Sequence, residues 1–310
     1  MINCFGFGPI YMKKQISVVI PAYNESPNIP KLISQITEII NAEKKYFFEV
    51  IIVENASTDN SFSLLSQARK NDKRIKIIQL AKNAGCDGAI MAGLSFAKGE
   101  AAIVLMADLQ ENPKLISSFL RKWEEGYDMV YGIVKKRSGV NPFKKIGTFL
   151  FYKALYYLTG KTIPDNVSDF RLMDERVYKV ILSMPERNKF FRGIAAWTGF
   201  KQIGIPFKRE ARFKGKSKAD LKTVLTITLN GLTSFSYAPL RLPWLLAGLF
   251  FAAGIIFVLF DKQFSLLFFL LFLFALVMAI QSEYLIQVLE DVRARPDFII
   301  KNTLGLKDSL

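Results

Sequence analysis

Short apolar runs alternate with stretches of helical periodicity along the first 134 residues. Runs rich in β-branched residues predict strands at 16–20, 49–53, 75–80, 101–106 and 128–134, and helical spacing predicts helices near 26–44, 60–70, 86–98 and 113–125. This alternation is typical of an α/β fold with a doubly wound, mostly parallel sheet. Ligands of such sheets bind at the carboxyl ends of strands. The polar segments 23–25, 54–59 and 107–110 are therefore the first candidates for chemistry.

The last third of the chain contains two long uncharged stretches, 242–260 and 264–280, separated only by Asp261–Gln263. Each is close to the length that crosses a hydrocarbon core of about 30 Å. The pattern predicts two transmembrane helices, at about 242–260 and 264–282, that form an antiparallel hairpin. Lys and Arg are concentrated outside the hairpin, and its turn has only Lys262, so both flanks are expected in the cytoplasm. The alternative is a buried helical hairpin in a soluble protein.

Two further stretches, 142–159 and 219–235, combine apolar stripes with basic or polar faces. Such helices can lie in the head-group plane of a membrane, or they can simply cover the sheet. The predicted organisation is an extension at 1–15, an α/β domain with these interface helices at 16–236, the hairpin at 237–285 and a cytoplasmic tail at 286–310. Met12 is the expected natural start, because residues 1–11 lack the basic and apolar regions of a signal peptide.

The composition restricts the chemistry. The 42 Lys and Arg residues exceed the 27 Asp and Glu residues, which gives a net charge of +15 and favours anionic partners. The basic residues cluster beside the predicted membrane segments, which favours lipids or phosphates over nucleic acid. Histidine is absent, which excludes imidazole acid–base catalysis and a Ser-His-Asp triad. The two cysteines cannot form a disulfide framework or a zinc site by themselves.

Three segments carry candidate chemistry. Asp108 and Gln110 follow a predicted strand and offer two oxygen ligands of the kind that Mg²⁺ or Mn²⁺ prefers, although Asp108 could instead cap the next helix. Asp169 and Arg171 flank an aromatic residue, as a reactive pair or as a structural ion pair. The strip 209–218 is dominated by Arg and Lys, which bind phosphates or acidic lipids.

Five motifs stand in a fixed order: Val-Val-Ile-Pro-Ala-Tyr-Asn-Glu at 18–25, Val-Glu-Asn-Ala-Ser-Thr-Asp at 53–59, Ala-Asp-Leu-Gln at 107–110, Ser-Asp-Phe-Arg-Leu-Met-Asp at 168–174 and Arg-Phe-Lys-Gly-Lys-Ser-Lys at 212–218. With the C-terminal hairpin, this order resembles the family-2 glycosyltransferases. It most resembles the polyprenyl-phosphate glycosyltransferases, which include dolichol-phosphate mannose synthase and bacterial undecaprenyl-phosphate glucosyltransferases.

The resemblance implies a GT-A fold and an activity at the cytoplasmic face of the inner or plasma membrane, with both termini cytoplasmic. The implied reaction transfers a hexose, with glucose favoured, from a UDP-sugar to a polyprenyl phosphate with inversion, for modification of cell-envelope glycans. Mg²⁺ or Mn²⁺ is the implied cofactor. The implied partners are the lipid bilayer, further copies of the chain and a flippase.

The resemblance also assigns roles to residues. Nucleotide-sugar binding falls to Pro21, Tyr23, Glu25, Glu54 and Asp108, and metal binding falls to Asp108 and Gln110. Asp169 matches the proposed catalytic aspartate, with Arg171 beside it. Contacts to the acceptor and the phosphates fall to Lys135, Lys136, Arg137, Arg212, Ser217 and Lys218.

Asp169 is not expected to act as a strong general base. A phosphate monoester has a second pKa near 6 and is mostly deprotonated at neutral pH. We therefore expect Asp169 to position the acceptor, through Arg171 or a metal, or to hold sugar hydroxyls.

The chain departs from the family pattern at Glu54-Asn55-Ala56-Ser57, where Asp-Asp-Gly-Ser is usual, and at Met106, where Asp-x-Asp has its first carboxylate. The first change affects the identity of the nucleotide, and the second predicts weaker metal binding. Two rival readings follow: a family-2 transferase with a hydroxyl acceptor on a glycan or protein, and a degenerate enzyme that serves as a membrane scaffold.

Overall fold

The computed structural model describes residues 13–137, 167–185, 190–210, 263–293 and 296–306. The strands are β1 (Gln15–Ala22), β2 (Phe47–Glu54), β3 (Ile75–Leu80), β4 (Ala101–Val104), β5 (Met129–Arg137), β6 (Val167–Asp174), β7 (Gln202–Arg209) and β8 (Ile300–Leu304). The helices are α1 (Ile29–Ala42), α2 (Ser61–Asn71), α3 (Gly85–Ser95), α4 (Leu115–Glu124), α5 (Glu175–Ser183), α6 (Phe191–Trp197) and α7 (Gln263–Arg293). The predicted interface helices at 142–159 and 219–235 and the predicted span at 242–260 lie outside the described residues.

The strands form one sheet in the order β7-β5-β6-β4-β1-β2-β3-β8. Strands β4, β1, β2 and β3 are parallel to one another, which confirms the predicted mostly parallel α/β sheet. The chain leaves β1 toward β2 and β3 on one side and returns to β4 on the other. Ligands bind at such a reversal of strand order, so the carboxyl ends of β1 and β4 mark the expected site.

The core has two layers because the side chains of each strand alternate between the faces of the sheet. On β1, Val18 packs with α1, α2 and α4 on one face, whereas Val19 packs with α3, α5 and α6 on the other. Helix α1 presents Leu32, Ile36 and Ile39 to the first face at the spacing of an amphipathic helix. Both faces are thus covered, as a parallel sheet requires.

Helix α3 lies very close to the sheet. A Cβ atom added at Gly93 would lie 2.3 Å from Cγ1 of Val19 and 3.1 Å from Cγ2 of Val53. The absence of a side chain at Gly93 lets the helix approach β1 and β2. This approach sets the height of the first turn of α3 above the strand ends.

Three strands were not predicted. Strand β6 runs antiparallel between β4 and β5, and it carries Ser168, Asp169 and Arg171 in buried positions. Those polar residues interrupt the apolar pattern by which a central strand is recognised. Strand β7 is parallel to β5 and forms one edge of the sheet.

The other edge is formed by β8, which pairs antiparallel with β3 in the segment expected to be a tail. The N–H of Ala81 donates to the Ile299 carbonyl at 2.8 Å, and Phe298 packs against the core beneath α3. Helix α7 precedes β8 and contains the predicted second span, 264–282. Within the described ranges, no helix combines the length and apolar character needed to cross a membrane.

We expect Gly93→Ala to destabilise the protein by about 1–3 kcal/mol, because the added methyl group overpacks the contact between α3 and β1. Thermal unfolding of the purified protein, followed by circular dichroism, measures this loss. Ser95→Ala, at an exposed position on the same helix, is the matched control and should change stability by less than about 0.5 kcal/mol. Equal stability of the two variants would contradict the packing argument.

Candidate active site

The loops after β1, β2 and β4 turn sharply at the carboxyl edge of the sheet. Asn24, Ala56 and Leu109 have positive φ angles of 51°, 56° and 58°, in the left-handed region that residues other than glycine rarely adopt. Backbone of this kind persists where the surrounding structure holds it, and it is concentrated at functional sites. The three loops lie at the strand-order reversal where a ligand is expected.

Hydrogen bonds join the first two loops to each other. The N–H of Asn24 donates to Ser57 Oγ at 3.0 Å, and the N–H of Thr58 donates to Asn24 Oδ1 at 2.8 Å. The N–H of Ser26 donates to Asp59 Oδ2 at 3.1 Å. Burial raises the pKa of Asp59, but hydrogen bonds from Ser61 and Ser26 outweigh it and hold that pKa below its usual value. The two loops therefore form one preorganised surface.

The predicted nucleotide-binding residues Pro21, Tyr23, Glu25 and Glu54 all lie in this surface or at the strand ends beside it. Glu54 is 1% exposed at the end of β2, and its Oε1 accepts the N–H of Ser57 at 2.5 Å. Glu25 is buried, and its carboxylate accepts a hydrogen bond from the Asn28 amide. Strand pairing places Pro21 opposite Val53 and Ala22 opposite Glu54, so Pro21 and Glu54 lie one position apart at the ends of β1 and β2.

Asn55, one of the departures from the family pattern, connects this surface to α3. Its Nδ2 donates to the Gly85 carbonyl at 2.8 Å and to Asn83 Oδ1 at 3.1 Å, and its Oδ1 accepts the N–H of Ala84 at 2.8 Å. The side chain is committed to the loop that begins α3. Asn55 thus has a structural use that the sequence did not reveal.

The predicted metal ligands lie in the loop after β4. Asp108 is 7% exposed, and its Oδ1 accepts the N–H of Gln110 at 3.2 Å. The N–H of Glu210 donates to the Gln110 carbonyl at 2.9 Å, and Gln110 Nε2 points to the Glu210 carbonyl at 3.4 Å. The 107–110 loop is therefore joined to the end of β7. No group of three or more carboxylates and thiols in the described residues could hold a metal ion.

Asp169 forms a bidentate ion pair with Arg192, which sequence reasoning missed. Arg192 Nε donates to Asp169 Oδ1 and Nη2 donates to Oδ2, both at 2.5 Å. Burial raises the pKa of Asp169, but Arg192, with help from Arg171 and Arg209, outweighs it and keeps that pKa below its usual value. Asp169 is thus an ionised carboxylate whose two oxygens are fixed by Arg192. The available sequence signal was an arginine directly after Phe190 and Phe191 at the start of an apolar helix.

Arg171, which was predicted to work with Asp169, has a different arrangement. It is 1% exposed, its Nη2 donates to the Ser168 carbonyl at 3.1 Å, and its guanidinium carbon lies 4.8 Å from the centre of the Phe191 ring. Burial lowers the pKa of Arg171 to about 10. Its Nε has no hydrogen-bond partner among the described residues. Arg171 supplies positive charge beneath Asp169 without a direct hydrogen bond to it.

Two more acids, Glu111 and Asp87, face this cluster. Glu111 is 1% exposed and accepts a hydrogen bond from the Ser168 hydroxyl. Burial, with the charges of Asp169 and Asp108, raises the pKa of Glu111 to about 7. Burial and the charge of Asp169 also raise the pKa of Asp87 to about 7. Both residues lack a sequence signal beyond their positions at the starts of helical segments.

The family follows from comparison with known proteins. Residues 17–182 match the family model described as glycosyl transferase family 2, and they include the loops after β1, β2 and β4 and strand β6. The chain belongs to glycosyltransferase family 2. It is therefore an enzyme that transfers a sugar, as the motifs predicted.

Full-length relatives of this transferase include bacterial and phage proteins. It is 34% identical over 309 residues to the uncharacterized glycosyltransferase YkcC of Bacillus subtilis, covering 95% of each chain. It is 32% identical over 305 residues to the SfII prophage-derived bactoprenol glucosyl transferase of Shigella flexneri, covering 93% of this chain and 98% of the relative. The similarity thus extends beyond the sheet into the C-terminal third.

A solved structure confirms the GT-A-like fold of the transferase. Glucosyl-3-phosphoglycerate synthase from Mycobacterium tuberculosis, in complex with Mn²⁺, uridine diphosphate and glucosyl-3-phosphoglycerate, superposes with a TM-score of 0.52. The match covers 71% of this chain and 78% of the other at 17% sequence identity. At this identity the match bears on the fold alone.

The remaining predicted residues of the transferase are those assigned to the acceptor and the phosphates. Lys135 is exposed on β5, and Arg137 ends that strand, where it pairs in register with Arg209 of β7. Arg212, Ser217 and Lys218 lie outside the described residues, a short distance along the chain from the end of β7. Their roles remain predictions. Arg209, the first residue of the predicted basic strip 209–218, ends β7, and its charge acts on both Asp169 and Glu111.

We expect Asp169→Asn and Arg192→Met to be energetically coupled. Removing Arg192 alone leaves a buried carboxylate without its ion-pair partner, so the double variant should be less destabilised than the sum of the single variants by about 1–3 kcal/mol. Unfolding of the four proteins in denaturant gives this coupling energy. Arg176→Met, which removes a guanidinium that is 68% exposed beside Asp174, is the control and should show no comparable coupling with Asp174, because solvent screens an exposed ion pair. Additive effects at 169 and 192 would contradict the ion pair.

Proposed function

We propose that the transferase moves a hexose, with glucose favoured, from a UDP-sugar to a polyprenyl phosphate, with inversion, at the cytoplasmic face of the membrane. The observation that carries this proposal is the Asp169–Arg192 pair. Both oxygens of Asp169 accept hydrogen bonds from one guanidinium, and the carboxylate pKa is lowered. Such a group is a poor general base.

The nature of the acceptor follows from this weak base. A hydroxyl acceptor must lose its proton during attack and benefits from a positioned base, whereas a phosphate monoester with a second pKa near 6 is already ionised at neutral pH. The site surrounds Asp169 with the positive charges of Arg171, Arg192 and Arg209. These arginines favour an anionic acceptor, since they offset the repulsion between a phosphate and the carboxylate.

The relatives support the same acceptor. Several proteins matched over more than nine-tenths of this chain are named bactoprenol glucosyl transferases, including those of Shigella phages SfII and SfV. Bactoprenol is a polyprenyl lipid, so these names agree with a lipid-borne phosphate and with glucose as the sugar. The uncharged stretches at 242–260 and 264–280 support attachment to the membrane that holds such a lipid.

A divalent metal fits the loop after β4 when the substrate shares its coordination. Asp108 offers a carboxylate and Gln110 an amide oxygen, and Mg²⁺ commonly binds one or two carboxylates together with substrate phosphates. Structural neighbours of this fold are described in complex with Mn²⁺ or Mg²⁺ and uridine diphosphate. A bound metal would neutralise charge that develops on the leaving diphosphate. Asp108 and Gln110 would hold it, and the basic segment 212–218 would bind the same diphosphate.

In this reaction the residues of the chain bind and orient more than they transfer protons. The joined loops after β1 and β2 receive the nucleotide, and Glu54 lies beside the nucleobase. Asp169, fixed by Arg192, orients the acceptor phosphate or a sugar hydroxyl. Attack of the phosphate oxygen on the anomeric carbon forms the new bond as the bond to the diphosphate breaks, which inverts that carbon. Preorganised charge of this kind is usually the largest contribution to catalysis.

Membranes that contain the full-length protein test the proposal. They are supplied with radiolabelled UDP-glucose, other labelled nucleotide-sugars in parallel, Mg²⁺ and a polyprenyl phosphate. We expect label from UDP-glucose to enter the organic phase, and we expect Asp108→Asn and EDTA each to reduce this transfer at least tenfold. Transfer of label only to water-soluble glycan or protein would indicate a hydroxyl acceptor. Nucleotide binding without transfer from any donor would indicate a scaffold.

The pH dependence should report the acceptor and not Asp169. Because the pKa of Asp169 is lowered, this carboxylate is ionised throughout pH 5–8, whereas the acceptor phosphate loses its second proton near pH 6. We expect kcat/KM for the lipid to rise from pH 5 to a plateau above about pH 7. An acceptor phosphonate, which has a higher second pKa, should shift the inflection upward. An inflection that stays in place with the phosphonate would assign it instead to Glu111 or Asp87, whose pKa values are raised to about 7.

A further inference from the structure

The first turn of α3 lies between the two carboxylates on which the proposed reaction depends. Cys86 Sγ is 3.8 Å from the sulfur of Met106, which precedes Asp108 by two residues. Asp87 accepts a hydrogen bond from the backbone N–H of Phe191, which directly precedes Arg192, the partner of Asp169. Two adjacent side chains of one helical turn thus contact Met106, two residues before Asp108, and Phe191, the residue before Arg192.

These two side chains face the cleft and not the core. Cys86 is exposed and Asp87 is half-buried, whereas the next full turn of α3, residues 89–94, is buried against the sheet. The charge of Arg171 acts on Asp87, and the Arg171 Nε lacks a hydrogen-bond partner among the described residues. Packing therefore does not account for the residue types at 86 and 87.

The loop that begins α3 is also held in place by the loop after β2. The Asn55 side chain forms two hydrogen bonds with this loop: its Nδ2 donates to the Gly85 carbonyl, and its Oδ1 accepts the N–H of Ala84. Gly93 holds the same helix close to β1 and β2. The turn is thus rigidly placed relative to the strand ends, as a residue that discriminates between substrates must be.

We propose that Cys86 and Asp87 form the wall of the donor-sugar subsite, and that Asp87 recognises a hydroxyl group of the transferred sugar. This inference rests on the proposed function. With the diphosphate beside Asp108 and the acceptor beside Asp169, the sugar that joins them must lie between these groups, against this turn. A carboxylate that accepts a hydrogen bond from one hydroxyl distinguishes epimers, because the wrong epimer leaves a desolvated polar group unpaired.

Cys86 provides a chemical test of this placement. In a Cys4→Ser background Cys86 is the one cysteine of the chain, since the sequence has two. The thiolate is the reactive form of a cysteine, so alkylation with iodoacetamide is followed at alkaline pH. The full-length protein in membranes is treated with UDP, with UDP-glucose or with neither, and modified peptide is quantified by mass spectrometry.

We expect UDP-glucose to slow alkylation of Cys86 at least fivefold more than UDP at equal saturation. Equal protection by UDP and UDP-glucose would place Cys86 at the diphosphate, and binding without protection would place it outside the site; either result overturns the inference while leaving the proposed function intact. Failure of both nucleotides to bind, measured separately by thermal shift, would overturn the proposed function as well.

Substitution of Asp87 tests the recognition itself. We expect Asp87→Ala to lower kcat/KM for the preferred donor by about 10- to 100-fold, the range for loss of a hydrogen bond to a charged group. Donors that are epimeric at the recognised hydroxyl should lose much less, and affinity for UDP should stay unchanged. Asp87→Asn keeps an oxygen that can accept the Phe191 N–H, so it controls for loss of fold, and it should show a weaker form of the same donor shift.

Ser95→Ala, on the exposed side of the same helix, should leave every donor unchanged. A uniform loss across all donors in folded Asp87 variants would show that Asp87 positions α6 and does not contact the sugar. Unaltered donor ratios together with full activity would remove Asp87 from the site.

Discussion

A strand that carries three buried polar side chains runs through the middle of the sheet, and the rest of the site is arranged to satisfy them. Ser168, Asp169 and Arg171 of β6 lie between β4 and β5, where water cannot compensate them. Burying a charge without a partner costs several kcal/mol. Three neighbouring residues act as partners for these side chains. Arg192 of α6 pairs with Asp169, Glu111 takes the Ser168 hydroxyl, and the Phe191 ring covers the Arg171 guanidinium.

These partners determine what the carboxylates can do. Asp169 is ionised and held on both oxygens, whereas Glu111 and Asp87 have raised pKa values in the same cluster. Environment thus separates three chemically similar groups into a permanent anion and two groups that are partly neutral near pH 7. A site organised in this way supplies fixed charge and hydrogen bonds, and it suits an acceptor that brings its own negative charge.

The sequence predicted the parallel half of the fold well, because periodicity there follows burial. The runs at 16–20, 49–53 and 75–80 became β1, β2 and β3, and helical spacing located α1 to α4 to within a few residues. Periodicity could not reveal β6, whose buried face is polar where the chemistry lies. Nor could it reveal β8, which is short, half polar and paired with a strand more than 200 residues earlier along the chain.

The candidate site divides in the same way. Motif order singled out Glu54, Asp108, Gln110 and Asp169, whose roles stay predictions. Glu54, Asp108 and Gln110 lie at or just after strands that the local sequence shows, whereas Asp169 lies in β6, which it does not show. The choice of Arg171 as the partner of Asp169 rested on their nearness in sequence. In the structure the partner is Arg192. Asp169 and Arg171 are two residues apart on one strand, so their side chains point to the same face of the sheet but not toward each other. Pairings between distant elements depend on the tertiary fold, which a single sequence does not show.

The pairing of β8 with β3 has a consequence for how the protein is made. Synthesis proceeds from the N-terminus, and domains tend to fold as they emerge. Strands β1 to β4 can assemble early, but the open side of β3 has no neighbour until residues 300–304 leave the ribosome, after all of α7. An unpaired strand edge is a template for aggregation or for pairing with another chain. During that interval the edge of β3 stays open, so its burial waits for translation of residues 300–304.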